Sequence, residues 1–347
     1  MRIAQVSPPW VAVPPKGYGG IEWVVSLLAD GLAERGHDVT LFATGDSQTK
    51  ARLEYVFEAA PGSTAINSIW HDTVHQMLVH RDFGRFDVLH HHTPFSALVA
   101  AMCHDVPVVH TLHGDFTPQF RLLYEQVADR LTFVAISQSQ RAAMPELRYG
   151  GVVYNGIDLD LYPFRSEKEG FLCFIGRANP DKGAHRAVLA ARAAGMPLVM
   201  AVKMAHPVER EHWTREVEPL LGPDVTVLGE ISVEEKADLM SRARAVLFPI
   251  DWPEPFGLVM TEAMACGTPV IATPRGAVPE VITDGRTGFL VSVEGYPEEA
   301  AHAIGRLGEI DPEACRSHVA DRFSKESMVE GYERVFERVV EGGRSGD

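Results

Sequence analysis

The sequence is poor in positive charge. Against 47 aspartates and glutamates it carries only 32 lysines and arginines, a formal net charge of −15 over 347 residues. Proteins that grip nucleic acid or an anionic bilayer by electrostatics present a basic face, so both partner classes are disfavoured. A small anionic ligand is not, because a few local cations and backbone amides suffice to hold one. Cysteine is also scarce. Cys103, Cys173, Cys266 and Cys315 are scattered and form no CxxC pair, and they read as reduced thiols of a cytoplasmic protein. Long apolar runs are missing: stretches such as Phe95–Cys103 fall far short of the ~18–20 residues that a membrane span needs. The opening MRIAQVSPPW goes straight into a short apolar strand and lacks the apolar centre of a signal peptide. The expectation is a cytoplasmic location with no membrane span; the oligomeric state has no sequence signal.

What is present is ordinary for a globular α/β protein, with 46% apolar and 23% charged residues. The length predicts two domains of roughly 150–180 residues each. Short β-rich runs alternate with helical periodicity. In the first half the predicted strands are Ile3–Val6, Val39–Phe42, Asp87–His90, Val106–His110, Thr132–Ile136 and Val152–Tyr154, with a helix over Ile21–Arg35 stopped by Gly36. In the second half they are Phe171–Ile175, Leu198–Val202, Val225–Leu228, Ala245–Phe248, Pro269–Ala272 and Phe289–Val291, and Ser232 with Glu235 makes a capping box for a helix to Ala243. Such alternation implies parallel sheets covered by helices on both faces, hence two Rossmann-like domains in tandem. The turn-forming NGIDLDLYPF and charged RSEKEG place the boundary near 160. The domains are then 1–160 and 161–324, followed by an amphipathic helix over 325–341.

The strongest chemical signal is Glu254-Pro-Phe-Gly-Leu-Val-Met-Thr-Glu262, directly after the strand Ala245–Phe248. Pro255 keeps Glu254 extended and out of the following helix. Gly257 frees the backbone, so a helix starts near Leu258, and the amides of Phe256, Gly257 and Leu258 become its unsatisfied donors. Ligands of doubly wound sheets bind at the carboxyl edge, where this segment lies. Glu254 can meet sugar hydroxyls there, and Glu262 can take a bidentate grip on a ribose diol. The competing reading, two solvated glutamates flanking a loop, is weakened by the Pro-Phe-Gly that follows Glu254 behind a buried strand.

A second segment, Gly176-Arg177-Ala-Asn-Pro-Asp-Lys182-Gly183, also follows a strand and opens a helix, with Asn179 as N-cap and Pro180 at N1. Arg177 and Lys182 beside free amides suit a diphosphate, though a pair of surface cations reads the same way in isolation. Gly17-Tyr-Gly19-Gly20-Ile-Glu22 lets backbone amides approach a phosphate or a polar acceptor. It fails as a dinucleotide fingerprint, since Glu22 stands where GxGxxG needs glycine, which disfavours an NAD-dependent oxidoreductase. His113, in Thr111-Leu-His113-Gly-Asp115, sits at a strand end where a hydrogen bond to a ligand is available; a purely structural histidine is the alternative. His90-His91-His92 cannot converge on one ion, because successive strand residues point to opposite faces. Asp158-Leu-Asp160 has DxD spacing but reads better as turn and cap.

With these segments in place the chain resembles the retaining family 4 glycosyltransferases of GT-B fold, over nearly its whole length. The resemblance rests on GYGGIE at 17–22, TLHGD at 111–115, AIS at 135–137 and NGID at 155–158. It continues through GR…DKG at 176–183, EPFGLVMTEAMACGTPV at 254–270, GAVPEVI at 276–282 and GRTGFLV at 285–291. The glutamate segment is that family's EX7E motif. The resemblance implies two Rossmann-like domains facing each other across a cleft, with the last helix crossing back to the first. It implies that Glu254 contacts the donor sugar near the reacting carbon, that Glu262 holds the ribose, and that Arg177 and Lys182 hold the diphosphate. The amides of Phe256, Gly257 and Leu258 would also touch the donor, Gly19 and Gly20 would face phosphate or acceptor, and His113 would contact the sugar. The front segment looks like a subset acting on small acceptors such as pteridines and natural-product sugars. The partners expected are a nucleotide-diphosphate sugar, UDP-linked or else GDP-linked, and a hydroxyl acceptor; no cofactor and no metal is expected. A GT-B nucleotide-sugar epimerase or phosphorylase, and a non-catalytic nucleotide-sugar binder, are the alternatives.

Overall fold

A computed structural model describes residues 1–17, 19–62, 65–66, 68–103 and 106–344. Tyr18 of the GYGGIE segment therefore lies outside the described residues. The chain divides into two units. The first takes residues 1–156 together with the chain from Lys325 onward, and the second is Ile157–Ser324.

The first unit carries strands β1 (Arg2–Val6), β2 (Asp38–Ala43), β3 (Arg52–Tyr55), β4 (Val88–His91), β5 (Val108–Thr111), β6 (Thr132–Ala135) and β7 (Tyr149–Val152). The second carries β8 (Leu172–Arg177), β9 (Leu198–Lys203), β10 (Val225–Leu228), β11 (Ala245–Phe248), β12 (Val270–Ala272) and β13 (Gly288–Leu290). The sheet orders are β3-β2-β1-β4-β5-β6-β7 and β10-β9-β8-β11-β12-β13. Every pairing is parallel. Helices on both faces explain why central strands such as AVLF of β11 are buried at every position. In each sheet the winding direction reverses once, between β1 and β4 and between β8 and β11. Those two reversals open a crevice at the carboxyl edge, where a doubly wound sheet takes its ligand.

Two strands depart from the sequence expectation. β3 has no apolar run, since RLEY is only half-buried at an edge. β7 falls on Tyr149–Val152 and not on Val152–Tyr154, because Gly150 and Gly151 lie inside it and leave no apolar run to read. Their lack of side chains has a use: a Cβ on Gly150 would stand 2.6 Å from Thr132 Cγ2 and 3.0 Å from Val335 Cγ1. Val335 belongs to the final helix, Lys325–Arg344, which lies on the first unit against the helix Gly20–Glu34. Gly31 faces Val329 there, and Glu333 accepts from both Arg35 (2.8 Å) and His37 (2.8 Å). Its buried face consists of Met328, Val329, Tyr332, Val335, Phe336 and Val340. At the start of the second unit, Asp158 caps the short turn Leu159–Leu161 through its own carboxylate.

Candidate active site

The loops after β8 and β11 meet across the reversal of the second sheet. Gly183 has φ +70°, and a Cβ on it would fall 2.1 Å from the Pro249 carbonyl oxygen, so only glycine lets the two loops come this close. The Asp251 amide donates to the Asp181 carbonyl at 2.7 Å and fastens them. The segment Pro180–Lys182 is a single 3₁₀ turn, and the α-helix begins at Ala184 behind Gly183. This corrects the expected helix start at Asn179–Pro180: the left-handed glycine interrupts the winding.

Within this junction Glu254 is buried, and its Oε2 accepts from Lys182 Nζ at 2.7 Å and from Trp252 Nε1 at 3.1 Å. Lys182 Nζ also lies 4.5 Å from the Trp252 ring centre. The backbone of Glu254 is held from behind. The Ala277 amide donates to its carbonyl at 2.8 Å, and a Cβ on Gly276 would stand 2.4 Å from its nitrogen. Phe256 is buried edge-on against Phe323. Gly257, at φ +85°, caps the helix Leu258–Ala265, which starts where the sequence placed it. The amides of Gly257 and Leu258 have no acceptor among the described residues.

Glu262 lies in the second turn of that helix. Its Oε1 accepts from the Tyr162 hydroxyl at 2.9 Å and from Lys236 Nζ at 2.6 Å. Burial, reinforced by the charge of Glu262, pushes the Tyr162 phenol far up, so it stays a donor. Arg177, at the end of β8, reaches Glu209 Oε1 with Nε and Nη2, both at 2.6 Å. Burial alone would raise Glu209. Two amides, Ala205 (2.7 Å) and His206 (2.9 Å), together with Arg177 overcome it and hold the carboxyl below its ordinary value. Arg177 and Lys182 thus each face a carboxylate of their own.

In the first unit the corresponding edge is built mainly of glycines and histidines, with the carboxylate of Glu22 among them. Gly19 precedes the helix Gly20–Glu34, and a Cβ on it would press on Pro15 at 2.8 Å and on Glu22 Oε2 at 2.9 Å. His113 is half-buried beyond β5, with Nε2 2.9 Å from His92 Nδ1. Burial, with His110 adding to it, pushes the His113 imidazole down to about 3. Gln140 shapes this loop, donating from Nε2 to the carbonyls of Leu112 (3.2 Å) and Gly114 (2.8 Å). The histidine run does split its side chains: His90 turns to Thr111, His91 to Ser96, and His92 to His113 and Gln5. Among the described residues no group of three or more His, Cys, Asp or Glu side chains is arranged to hold a metal ion.

Comparison with known proteins gives the family. A family model described as glycosyl transferases group 1 matches residues 163–319, and one described as glycosyltransferase family 4 matches residues 18–161. The phosphatidyl-myo-inositol mannosyltransferase of Mycolicibacterium smegmatis (strain ATCC 700084 / mc(2)155) is 30% identical over 344 residues, covering 88% of this chain and 85% of that protein. The chain belongs to the family 4 glycosyltransferases. AviGT4, a glycosyltransferase involved in avilamycin A biosynthesis, superposes with a TM-score of 0.73 at 28% identity over 98% of both chains. The sucrose-phosphate synthase of Thermosynechococcus elongatus shares the fold, with a TM-score of 0.78 at 21% identity over 98% of this chain and 99% of that one.

In this transferase the EX7E segment joins two separate polar clusters, one at each glutamate. Sequence reasoning found both glutamates and both cations but not Tyr162, Trp252, Glu209 or Lys236, which hold them. Tyr162 and Glu209 carry no spacing signal, because each comes from another element of the fold, and Trp252 shares the loop of Glu254 without a motif that marks it. Lys236 carried a faint one, since it lies on the helix opened by the Ser232/Glu235 capping box, and both bonds of that box are present.

Proposed function

We propose that the transferase moves a hexose from a nucleoside-diphosphate sugar to an acceptor hydroxyl with retention of anomeric configuration, and without a divalent metal. The observation that carries this reading is the Lys182–Glu254 contact at 2.7 Å beside the open amides of Gly257 and Leu258. A cation and two amide donors at a helix start favour a diphosphate, and a buried carboxylate next to them suits sugar hydroxyls. Arg177 supplies a second cation for the same group, and the Phe256 segment completes the turn. Glu262, kept in place by Tyr162 and Lys236, takes the ribose. As the glycosidic bond breaks, negative charge grows on the leaving diphosphate, and fixed donors stabilise it most at that moment. The acceptor hydroxyl then attacks from the face the phosphate leaves, giving its proton to a departing phosphate oxygen. Gly19, Gly20 and His113 supply the ligand contacts of the first unit.

The mannosyltransferase name of the relative agrees with a hexose donor. A thermal-shift panel of UDP, GDP, ADP and TDP identifies the base, because a ligand bound only by the folded state raises its melting temperature. Transfer by Lys182→Ala and Glu262→Ala is then compared with the parent: loss in both is expected, and near-normal turnover in both sinks the assignment. The anomeric configuration of the product, read by NMR, tests retention, and activity in EDTA tests metal independence. Turnover without any acceptor would mark an epimerase, and nucleotide-dependent stabilisation with no product a binding protein.

A further inference from the structure

The reversal point of the first sheet is bridged by side chains from three adjacent strands. Gln5, within β1, is fully buried; His92 immediately follows β4 and is also buried; His113 follows β5 and is half-buried. Gln5 Oε1 lies 3.1 Å from His92 Nε2, and His92 Nδ1 lies 2.9 Å from His113 Nε2. The His113 Nδ1 has no hydrogen-bond partner among the described residues, on a side chain that is only half-buried. The His90 ring packs against His92 at a tilt of 51°, with ring centres 4.2 Å apart, and is itself tied to Thr111, so His92 has little freedom to turn.

A neutral imidazole has one N–H and one lone pair, so a chain of hydrogen bonds through two of them has a direction. Burial holds both rings neutral, His92 well below its ordinary value and His113 at about 3. A carbonyl oxygen can only accept. Gln5 Oε1 therefore takes the His92 Nε2–H, which leaves His92 Nδ1 as acceptor for the His113 Nε2–H. The open Nδ1 of His113 is then a lone pair. The arrangement leaves Gln5 Nε2 buried without a hydrogen-bond partner.

We propose that Gln5 and His92 are positioning residues that lock His113 in its Nε2–H tautomer, so that Nδ1 accepts a hydrogen bond from a ligand hydroxyl. The proposal rests on the reading of His113 as a ligand contact, and the two fail separately in the test. Long-range proton–nitrogen NMR correlation on histidine-labelled, ligand-free enzyme reads the tautomer, with the signal assigned by loss in His113→Ala. Nε2–H is expected in the parent and in His92→Asn, whose amide oxygen replaces the Nδ1 acceptor, and a tautomer mixture in Gln5→Leu and His92→Phe. An Nδ1–H signal in the parent overturns the lock, and so does an unchanged tautomer in both Gln5→Leu and His92→Phe. The parent spectrum needs no variant to fold.

For the consequence in catalysis, UDP-glucose and GDP-mannose are offered and release of free sugar is followed. Gln5→Leu and His92→Phe should lower kcat about tenfold while the nucleotide Kd stays unchanged, the mark of an interaction felt in the transition state. His92→Asn should stay within about threefold of the parent, as rescue of the acceptor requires. If His113→Ala turns over normally while the tautomers behave as expected, His113 leaves the ligand site and the ligand-contact half of the proposal falls.

Discussion

The two sheet reversals share a topology and differ in chemistry. Between β8 and β11 the crevice is bridged by ions: Lys182 on Glu254, with Arg177 on Glu209 beside it. Between β1 and β4 it is bridged by the neutral chain Gln5–His92–His113. Doubly wound topology thus fixes where a ligand goes but not what it is. Charges and open amides fit a phosphate-bearing ligand, whereas uncharged donors and acceptors fit hydroxyls, whose hydrogen bonds need no counter-charge.

The sharpest way to break this contrast is to remove charge from one side only. Lys182→Met keeps the aliphatic stem, and kcat/KM should fall on the order of 10²–10³-fold, as for loss of a donor to developing negative charge. Steady-state kinetics against His92→Phe checks it; equal losses at the two crevices would erase the distinction. Next in size is Gly183→Ala, which forces a side chain into φ +70° and against the Pro249 carbonyl. Destabilisation beyond about 1 kcal/mol is expected, lowering the melting temperature by several degrees. Gly19→Ala should cost less, since its neighbours are the side chains of Pro15 and Glu22.

Acidification weighs more on the first unit, although burial also lowers His185, His212 and His318 of the second. Burial lowers His75 and His110 to about 4 and His113 to about 3, against an ordinary value of 6.5. For a depressed histidine the unfolded chain binds more protons, so its contribution is intact above pH 6.5 and is lost as the pH falls toward 4. Asp72, raised by burial to about 7, has the opposite sign, because the folded state takes up its proton first. It offsets one histidine. Melting temperature should therefore fall between pH 7 and pH 5, with hydrogen-exchange protection in the first unit, corrected for the slower intrinsic exchange in acid, falling too; a flat profile would contradict the neutral cluster. The smallest effect expected is that of Tyr332→Phe. This removes the hydroxyl 2.9 Å from Thr111 Oγ1 and should cost about 1 kcal/mol, read from chemical denaturation.

Much of this was legible beforehand, for reasons that differ by element. β10 and β11 matched to the residue for different reasons: AVLF of β11 is a continuous apolar run buried at every position, whereas VTVL of β10 is a half-exposed edge strand marked by its β-branched residues. The helix at Leu258 matched because Pro255 and Gly257 leave the backbone few choices. β3 was missed and β7 was placed too late in the chain, because edge strands need neither apolar runs nor side chains. At the site, Glu254, Glu262, Arg177 and Lys182 showed in the sequence through their places beside glycine and proline, which mark where a strand ends and a helix begins. Their partners did not show, since no local rule links Tyr162 or Lys236 to Glu262.

By itself the sequence determined the alternation of strands and helices, the two-fold repetition of a doubly wound sheet, and the loops that carry its chemistry. Hydrophobic periodicity and backbone-restricting residues act over a few positions, so one dimension is enough to read them. Only the tertiary structure decided that Lys182 pairs with Glu254 and Arg177 with Glu209, and that His113 is reached by Gln5 through His92. Those pairings depend on which strand ends the sheet order brings side by side, and Gln5 and His113 become near neighbours only because β4 lies between β1 and β5.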